Sequence, residues 1–241
     1  MIAWLQPGEP FPDVRAALDM PKGLLAASAS VGTEDLLAAY PRGIFPWYSE
    51  GDPVLWWSPD PRMVLHTAEF RVSRSLRKAL RAVLADPAWE LHLDRNFAAV
   101  MRACAAPRPG QEGTWISEAI VAAYSGLAAR DMAHSMEVWH EGALVGGAYG
   151  VSLGRMFYGE SMFSRVTDAS KIALAGLVAL LSREQVPVID CQQRTAHLAS
   201  LGAREMPRGE FCAHVAKAAD LAPVDWRPYR NAPLNRLLEV Y

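Results

Sequence analysis

A chain of 241 residues, 51% apolar and 21% charged, can bury a sizeable core, which excludes disorder and suggests one large domain or one domain with a small companion. Its net charge of −2 carries no overall nucleic-acid signature, so any such binding has to come from a local patch. Three scattered cysteines (Cys104, Cys191, Cys212) without CxxC spacing, and no HExxH, argue for a reducing, cytosolic compartment and against a disulfide framework or a metal site.

In chain order, "MIAWLQPGEPFPDVRAAL" lacks a basic region and an unbroken apolar core, so no signal peptide is expected. The longest apolar run, Ile172 to Leu181, is about half a membrane span, so the chain is read as soluble. Residues 1–61 read as a small N-terminal domain with few regular elements. "TEDLLAAY" (33–40) is a short helix with Thr33 as its expected N-cap. The stretch "RGIFPWYSEGDPVLWWSPDPR" (42–62) sets Phe45, Trp47, Tyr48, Trp56 and Trp57 among Pro46, Pro53, Pro59 and Pro61. Each proline removes a donor and fixes φ, which excludes a regular helix or a central strand. What remains is a stiff aromatic loop, either a seam between domains or a stacking platform for a flat ligand such as a nucleobase.

Periodic segments begin at Arg62, where a second domain, 62–241, is placed. "SRSLRKALRAVLAD" (73–86) is an amphipathic helix capped by Ser73, with Leu76, Leu80, Val83 and Leu84 on one face. Arg74, Arg77, Lys78 and Arg81 occupy the other face and, with Arg71, form a basic stripe free of acids. It is either a solvated face or a contact for a phosphate backbone. "SEAIVAAYSGLAARD" (117–131) is a second helix starting at Ser117. Residues 134–164 read as three strands with turns at Glu141-Gly142 and near Gly154. "TDASKIALAGLVALLSREQ" (167–185) is a long apolar helix capped by Thr167 or Asp168, followed by the buried strand "VPVIDCQ" (186–192) and a short helix "TAHLASL" ending at Gly202. Strand, helix, strand at this spacing implies a right-handed crossover between parallel strands. The class is α/β: helices on a mixed sheet with one crossover.

Strand alternation puts Asp190 and Gln192 on one face of "VIDCQ" and turns Cys191 the other way. A carboxylate and an amide at the end of a buried strand are costly unless paired. Glu160 lies on the neighbouring strand, after Gly159, which permits a bulge or a close backbone approach. Two carboxylates and an amide at one sheet edge can bind and deprotonate an amine; equally, they can form buried ion pairs with Arg165 or Arg194.

The stretch 42–62, "GTWI" (113–116), "HSMEVW", "LVGGAYG", "FYGESMFS" with Ala169-Ser170-Lys171, "IDCQ", and "LASLGA" followed by "PR" occur in one fixed order across roughly residues 23–211. Together they resemble the leucyl/phenylalanyl-tRNA–protein transferase family, bacterial enzymes that tag proteins for N-end-rule degradation. The resemblance implies a small N-terminal domain joined to a larger one with the acetyltransferase-like (GNAT) fold. It implies cytoplasmic transfer of Leu, Phe or Met from aminoacyl-tRNA to proteins with N-terminal Arg or Lys, with no cofactor, metal or membrane involved.

It further implies that Trp47 and Trp115 stack the terminal adenosine, while Trp56 and Trp57 pack a domain seam. The aminoacyl side chain would enter a pocket of Ala148, Leu174, Leu177, Leu181 and Ile189, which admits Leu or Phe and turns away β-branched side chains. Ile189 is its least secure member, since alternation points it away from Asp190. Ala148, Leu177 and Leu181 are smaller than the residues some relatives carry, which tilts the expectation toward Phe. Asp190 is the expected base, acting directly or through Gln192; Gln192 or a backbone N–H steadies the oxyanion, and Glu160 binds the cationic amine or acceptor side chain. The basic helix would meet the tRNA acceptor stem.

The chain departs from the family at "GLLAASASVGTEDLLAAY", where a glycine-aspartate turn is usual, and its tail from Asp220 carries no assignable motif. An acyl-CoA N-acetyltransferase is a rival on the same fold, but "FSRVTDAS" (163–170) has no glycine and carries an aspartate where pyrophosphate would sit. A non-catalytic adaptor for tRNA or basic N-termini is the other rival; it would not need Asp190 and Gln192 together.

Overall fold

The first sheet forms where the sequence led us to expect loops. β1 (Ala3–Leu5), β2 (Leu24–Ser28), β3 (Phe45–Pro46) and β4 (Val54–Trp57) pair in the order β1-β2-β4-β3. The computed structural model describes residues 2–107 and 114–241, so Gly113 of "GTWI" lies outside the described residues. Contrary to expectation, the proline-rich stretch holds a central strand, because β4 pairs with β2 on one side and β3 on the other. The spacing of the prolines explains it. Pro53 and Pro59 flank β4 without entering it, so all four of its residues keep their N–H groups, and Pro46 sits on the edge strand, where a missing donor is tolerated.

The second sheet runs β11-β5-β10-β9-β8-β7-β6. Its strands are β5 (Arg62–His66), β6 (Trp89–Leu93), β7 (Ala133–His140), β8 (Ala143–Leu153), β9 (Met156–Ser164), β10 (Val188–Asp190) and β11 (Arg204–Met206). The three expected strands, β7 to β9, form an antiparallel meander. Its first turn takes positive φ at both Glu141 (50°) and Gly142 (76°), as a two-residue hairpin needs. β6 adds to the expected elements, although Trp-Glu-Leu-His-Leu alternates with a period of two. The chain from β9 returns through α5 (Ala169–Arg183) to pair β10 in parallel, which is the expected crossover.

The helices are α1 (Thr33–Ala39), α2 (Arg74–Ala85), α3 (Phe97–Ala105), α4 (Glu118–Ala128), α5, α6 (Ala196–Ser200) and α7 (Arg208–Ala219). Ser73 and Ser117 cap α2 and α4 as predicted. Two caps differ. Gly32 takes the N-cap position of α1, its N–H held by Asp35 at 2.8 Å, which frees the Thr33 hydroxyl to donate to the Ala123 carbonyl on α4. At α5, Asp168 occupies the cap position with φ 64° but pairs with Lys171 (2.7 Å), and Ser164 Oγ accepts from the Ser170 N–H instead. Leu84 also departs from the predicted apolar face of α2 and is exposed.

The motif-free tail is structural. Trp226 stacks on His134 with ring centroids 4.2 Å apart, Arg230 pairs with Asp94 (2.8 Å), and the Tyr241 hydroxyl donates to the Ala175 carbonyl (3.0 Å) on α5. Among the described residues, no helix is long and apolar enough to cross a membrane.

Candidate active site

The parallel pairing of β9 and β10 ends early. Ile189 pairs with Phe157 and Asp190 with Tyr158, after which β10 stops while β9 runs on to Ser164. The next residues of the shorter strand turn aside, with Gln192 at φ 54°. This splay opens a cavity of about 470 Å³ between the two sheets.

One end of the cavity is apolar. Ala148 of β8, Leu174 and Leu177 of α5, and Ile189 of β10 line it together with Leu65 and Met162, which the sequence did not single out. Leu181, one helical turn past Leu177, is fully buried in the core and gives the cavity no surface. Alternation along β10 works against the sequence expectation. Ile189 and Cys191 face the cavity, Asp190 faces away, and Gln192 reaches the cavity because its positive φ breaks the alternation.

The mouth is aromatic. Trp47, 44% exposed, and Trp115 both line it. Trp57 braces Trp47, packing edge-on at 5.8 Å between centroids and donating its indole N–H to the Trp47 carbonyl at 2.7 Å. Trp56 serves the core of the first sheet instead: it is buried, donates to Ser28 Oγ (2.9 Å) and meets Phe11 edge-on.

The polar floor holds Glu160. The Tyr40 hydroxyl donates to its Oε1 (2.7 Å), the Tyr124 hydroxyl to its Oε2 (3.0 Å), and Gln192 Nε2 approaches Oε1 at 3.4 Å. Burial pushes the Glu160 carboxyl up to about 7, against the lowering effect of the two phenols. Sequence reasoning missed both tyrosines, since each sits in an apolar helical setting that reads as core. The available clue was Tyr in place of Phe, because a buried phenol needs a partner.

Asp190 lies behind this floor and does not line the cavity. Arg62 donates to both of its oxygens, Nε to Oδ1 at 2.8 Å and Nη2 to Oδ2 at 2.6 Å, with both side chains buried. The buried ion pair foreseen as an alternative therefore forms with Arg62. Arg165 instead donates to the Leu144 carbonyl, and Arg194 is exposed. The Arg62 guanidinium is sandwiched between the rings of Phe45 and Phe211, 4.6 Å from each centroid, and donates to the Gly43 carbonyl at 3.0 Å. One side chain thus ties the two sheets together. Asp190 Oδ1 also accepts the Gln192 N–H at 2.9 Å, which fixes the turn that brings Gln192 to the cavity.

Arg71, Arg74, Arg77, Lys78 and Arg81 are all exposed, and none forms an ion pair among the described residues. Arg77 Nε donates to the Tyr241 carbonyl at 3.0 Å. The Arg71 N–H bonds the Leu201 carbonyl just after α6, the helix whose His197 and Leu198 line the cavity, so the stripe starts beside the cavity rim.

Comparison with known proteins gives a consistent answer. A family model described as leucyl/phenylalanyl-tRNA protein transferase matches residues 64–216, and one for the N-terminal domain of that family matches residues 32–60. A leucyl/phenylalanyl-tRNA–protein transferase of Paraburkholderia phytofirmans is 58% identical over 239 residues, covering 98% of each chain. One from Paraburkholderia xenovorans is 60% identical over 230 residues, 94% of each. Among solved structures, L-PGS from Bacillus licheniformis aligns with 73% of this chain and 57% of its own at 12% identity and a TM-score of 0.36. A GCN5-related N-acetyltransferase-like protein from Streptococcus suis aligns with 75% of this chain and 67% of its own at 17% identity and a TM-score of 0.33.

Proposed function

The chain belongs to the leucyl/phenylalanyl-tRNA–protein transferase family, and from that premise we propose the reaction at this site: an aminoacyl group passes from the 3′ end of a charged tRNA to the N-terminal amine of an acceptor protein. The donors are Leu, Phe and Met esters and the acceptors carry N-terminal Arg or Lys, which marks them for degradation in the cytoplasm. The observation that carries this reading is the continuity of one cavity, aromatic at its mouth, apolar at one end and acidic at its floor.

In this reading Trp47 and Trp115 stack the terminal adenine, a contact that accepts any flat base. The aminoacyl side chain fills the space between Ala148, Leu174, Leu177 and Ile189. A wall of this kind separates substrates by about 1–3 kcal/mol per methylene, so it selects for size and shape. With Leu181 off the wall, Ala148 and Leu177 alone carry the expected tilt toward Phe.

The chemistry asks little of the protein. The ester is already activated, and an α-amino group with a pKa of about 7.7–8.0 is partly neutral near pH 7. Orientation can supply up to ~7–11 kcal/mol of the barrier. Glu160 faces the incoming amine and Gln192 the developing oxyanion. Asp190, with both oxygens engaged by Arg62, acts by holding the Gln192 turn, so it is a positioning residue in this scheme.

The stripe from Arg71 to Arg81 meets the acceptor stem through phosphate charge, without base reading. Substituting Arg74, Arg77 and Lys78 by Gln weakens tRNA binding and lowers its log–log salt slope by ~0.7–0.9 per lost contact, and an unchanged slope in a titration would return the stripe to a solvated face. An acyl-CoA donor is disfavoured at α5, where Asp168 would repel a pyrophosphate and Ser164 already takes the Ser170 amide.

The deciding experiment mixes the protein with radiolabelled Leu-tRNA or Phe-tRNA and peptides that differ only in an N-terminal Arg, Lys or Gly. Label should move to the Arg and Lys peptides and spare the Gly peptide. Acetylation from acetyl-CoA without any aminoacyl transfer would overturn the reading.

A further inference from the structure

Three side chains close a ring at the floor of the cavity. The Tyr40 and Tyr124 hydroxyls lie 2.5 Å apart, the Tyr40 hydroxyl is 2.7 Å from Glu160 Oε1, and the Tyr124 hydroxyl is 3.0 Å from Oε2. Each of the three contacts needs one proton, and the two phenols bring only two. With Glu160 ionised, one contact in the ring sets lone pair against lone pair. With Glu160 protonated, each group donates once and accepts once, and the ring is complete. The geometry is therefore that of a site one proton short whenever Glu160 carries its charge.

We propose that Glu160, closed into this ring with Tyr40 and Tyr124, is the proton shuttle of the aminoacyl transfer. The proposal rests on the aminoacyl-transfer reading above. The amine nitrogen attacks the ester carbonyl carbon, forming the C–N bond as the carbonyl π pair moves onto oxygen. The nitrogen gives a proton to the Glu160 carboxylate, which completes the ring. The tetrahedral intermediate then collapses, breaking the bond to the ribose oxygen, and Glu160 returns its proton to that departing oxygen. Glu160 ends ionised as it began, and no further reactant is consumed.

Asp190 is less suited to this task. Its oxygens are held by Arg62 and it lies outside the cavity wall, whereas Glu160 lines the cavity. The groups that act on Glu160 come from every side: Tyr40 after α1, Tyr124 of α4, Tyr149 of β8, Asp190 of β10 and Arg62 of β5. Burial, the dominant influence, and the Asp190 charge raise its pKa, while the two phenols and Arg62 lower it, leaving it near 7. An amine at about 7.7–8.0 is thus matched to within about one unit, the condition under which a proton moves easily both ways.

The test is the pH profile of single-turnover transfer from Phe-tRNA to an Arg peptide. In the wild type the rate should rise with pH through about 7, because Glu160 must be ionised to accept a proton. Tyr40→Phe and Tyr124→Phe each remove a hydrogen bond that lowers the Glu160 pKa, so each should move that rise to higher pH. Glu160→Gln should abolish the step near 7, leaving only the rise from the peptide's own amine at about 7.7–8.0, and slow transfer at least ~100-fold, the usual scale for a lost acid–base group, with tRNA affinity kept. If label moves but the rise stays put in both Phe variants, the shuttle fails alone. It also fails alone if Glu160→Gln raises the peptide KM and leaves kcat intact. If the wild type moves no label at any pH, the transfer reading fails and takes the shuttle with it. Infrared difference spectra give a readout that needs no activity: a carboxylic-acid C=O band should disappear between about pH 6 and pH 8.5 in the wild type and be missing in Glu160→Gln. A wild type without that band would overturn the ring.

Discussion

Two carboxylates stand where β9 and β10 part, Asp190 fully buried and Glu160 half-buried on the cavity floor, and they are treated in opposite ways. Asp190 pairs in register with Tyr158, and Glu160 lies two residues further along the same strand as Tyr158. Asp190 faces a guanidinium that grips both of its oxygens. Glu160 faces phenols and an amide, which are dipoles without charge. A buried charge needs a countercharge to remain ionised, and dipoles alone compensate only in part. Asp190 is therefore committed to structure, while the protonation of Glu160 is left open to the chemistry near neutral pH.

The largest expected effect comes from taking away the countercharge. Arg62→Met leaves Asp190 buried and alone, and should cost about 3–5 kcal/mol in urea unfolding. Replacing both partners, Arg62→Met with Asp190→Leu, should recover much of that loss, because an apolar pair of similar volume needs no compensation. The double variant should still transfer poorly, since Asp190 Oδ1 no longer anchors the Gln192 N–H. Full activity in a stable double variant would remove Asp190 from any role in the site.

Much of this was legible in the sequence and some was not, for identifiable reasons. The meander, the crossover through α5 and the caps of α2 and α4 follow from period and cap chemistry, and they appear as read. The first sheet escaped because the number of prolines argues against strands, whereas their positions at strand ends and on an edge decide the matter. At the site, Glu160, Gln192, Trp47, Trp115 and most of the apolar wall meet on one cavity. The orientation of Asp190 could not be read, because strict alternation extrapolates through Gln192, whose φ of 54° ends it. Arg62 was hidden as the last letter of a motif noted for its aromatics. Tyr40 and Tyr124 were hidden because a hydroxyl's partner lies in tertiary structure.

A second way to sharpen the contrast is pH. Glu160 has a folded pKa of about 7 against an ordinary value of 4.5, so the native state holds its proton more tightly than the unfolded chain. The stabilisation from this group is complete below about 4.5 and is lost as pH rises through 7, a change on the order of 3 kcal/mol. Glu160→Gln has no such proton to lose. The stability of the wild type relative to Glu160→Gln should therefore fall by that amount between about pH 5 and pH 8 in paired unfolding curves. A constant difference would mean that Glu160 does not change its protonation on folding anywhere in this range.

The smallest effect probes a single dipole. Tyr40→Phe removes one hydroxyl from the ring and leaves Tyr124 as the remaining phenol on Glu160. Below pH 7 the lost contact is one between neutral groups and should cost about 1 kcal/mol; above it the phenol serves a charged carboxylate, and the cost should rise to about 1.5–3 kcal/mol. The increase has the same origin as the predicted shift in the rate profile, since a group that binds the carboxylate better than the acid must both lower its pKa and stabilise the protein more at high pH. Chemical unfolding of the two proteins at both ends of this range measures it directly. An equal cost at both ends would mean that Tyr40 does not distinguish the two forms of Glu160, and the stabilisation of the carboxylate would then rest with Tyr124 and the remaining groups around it.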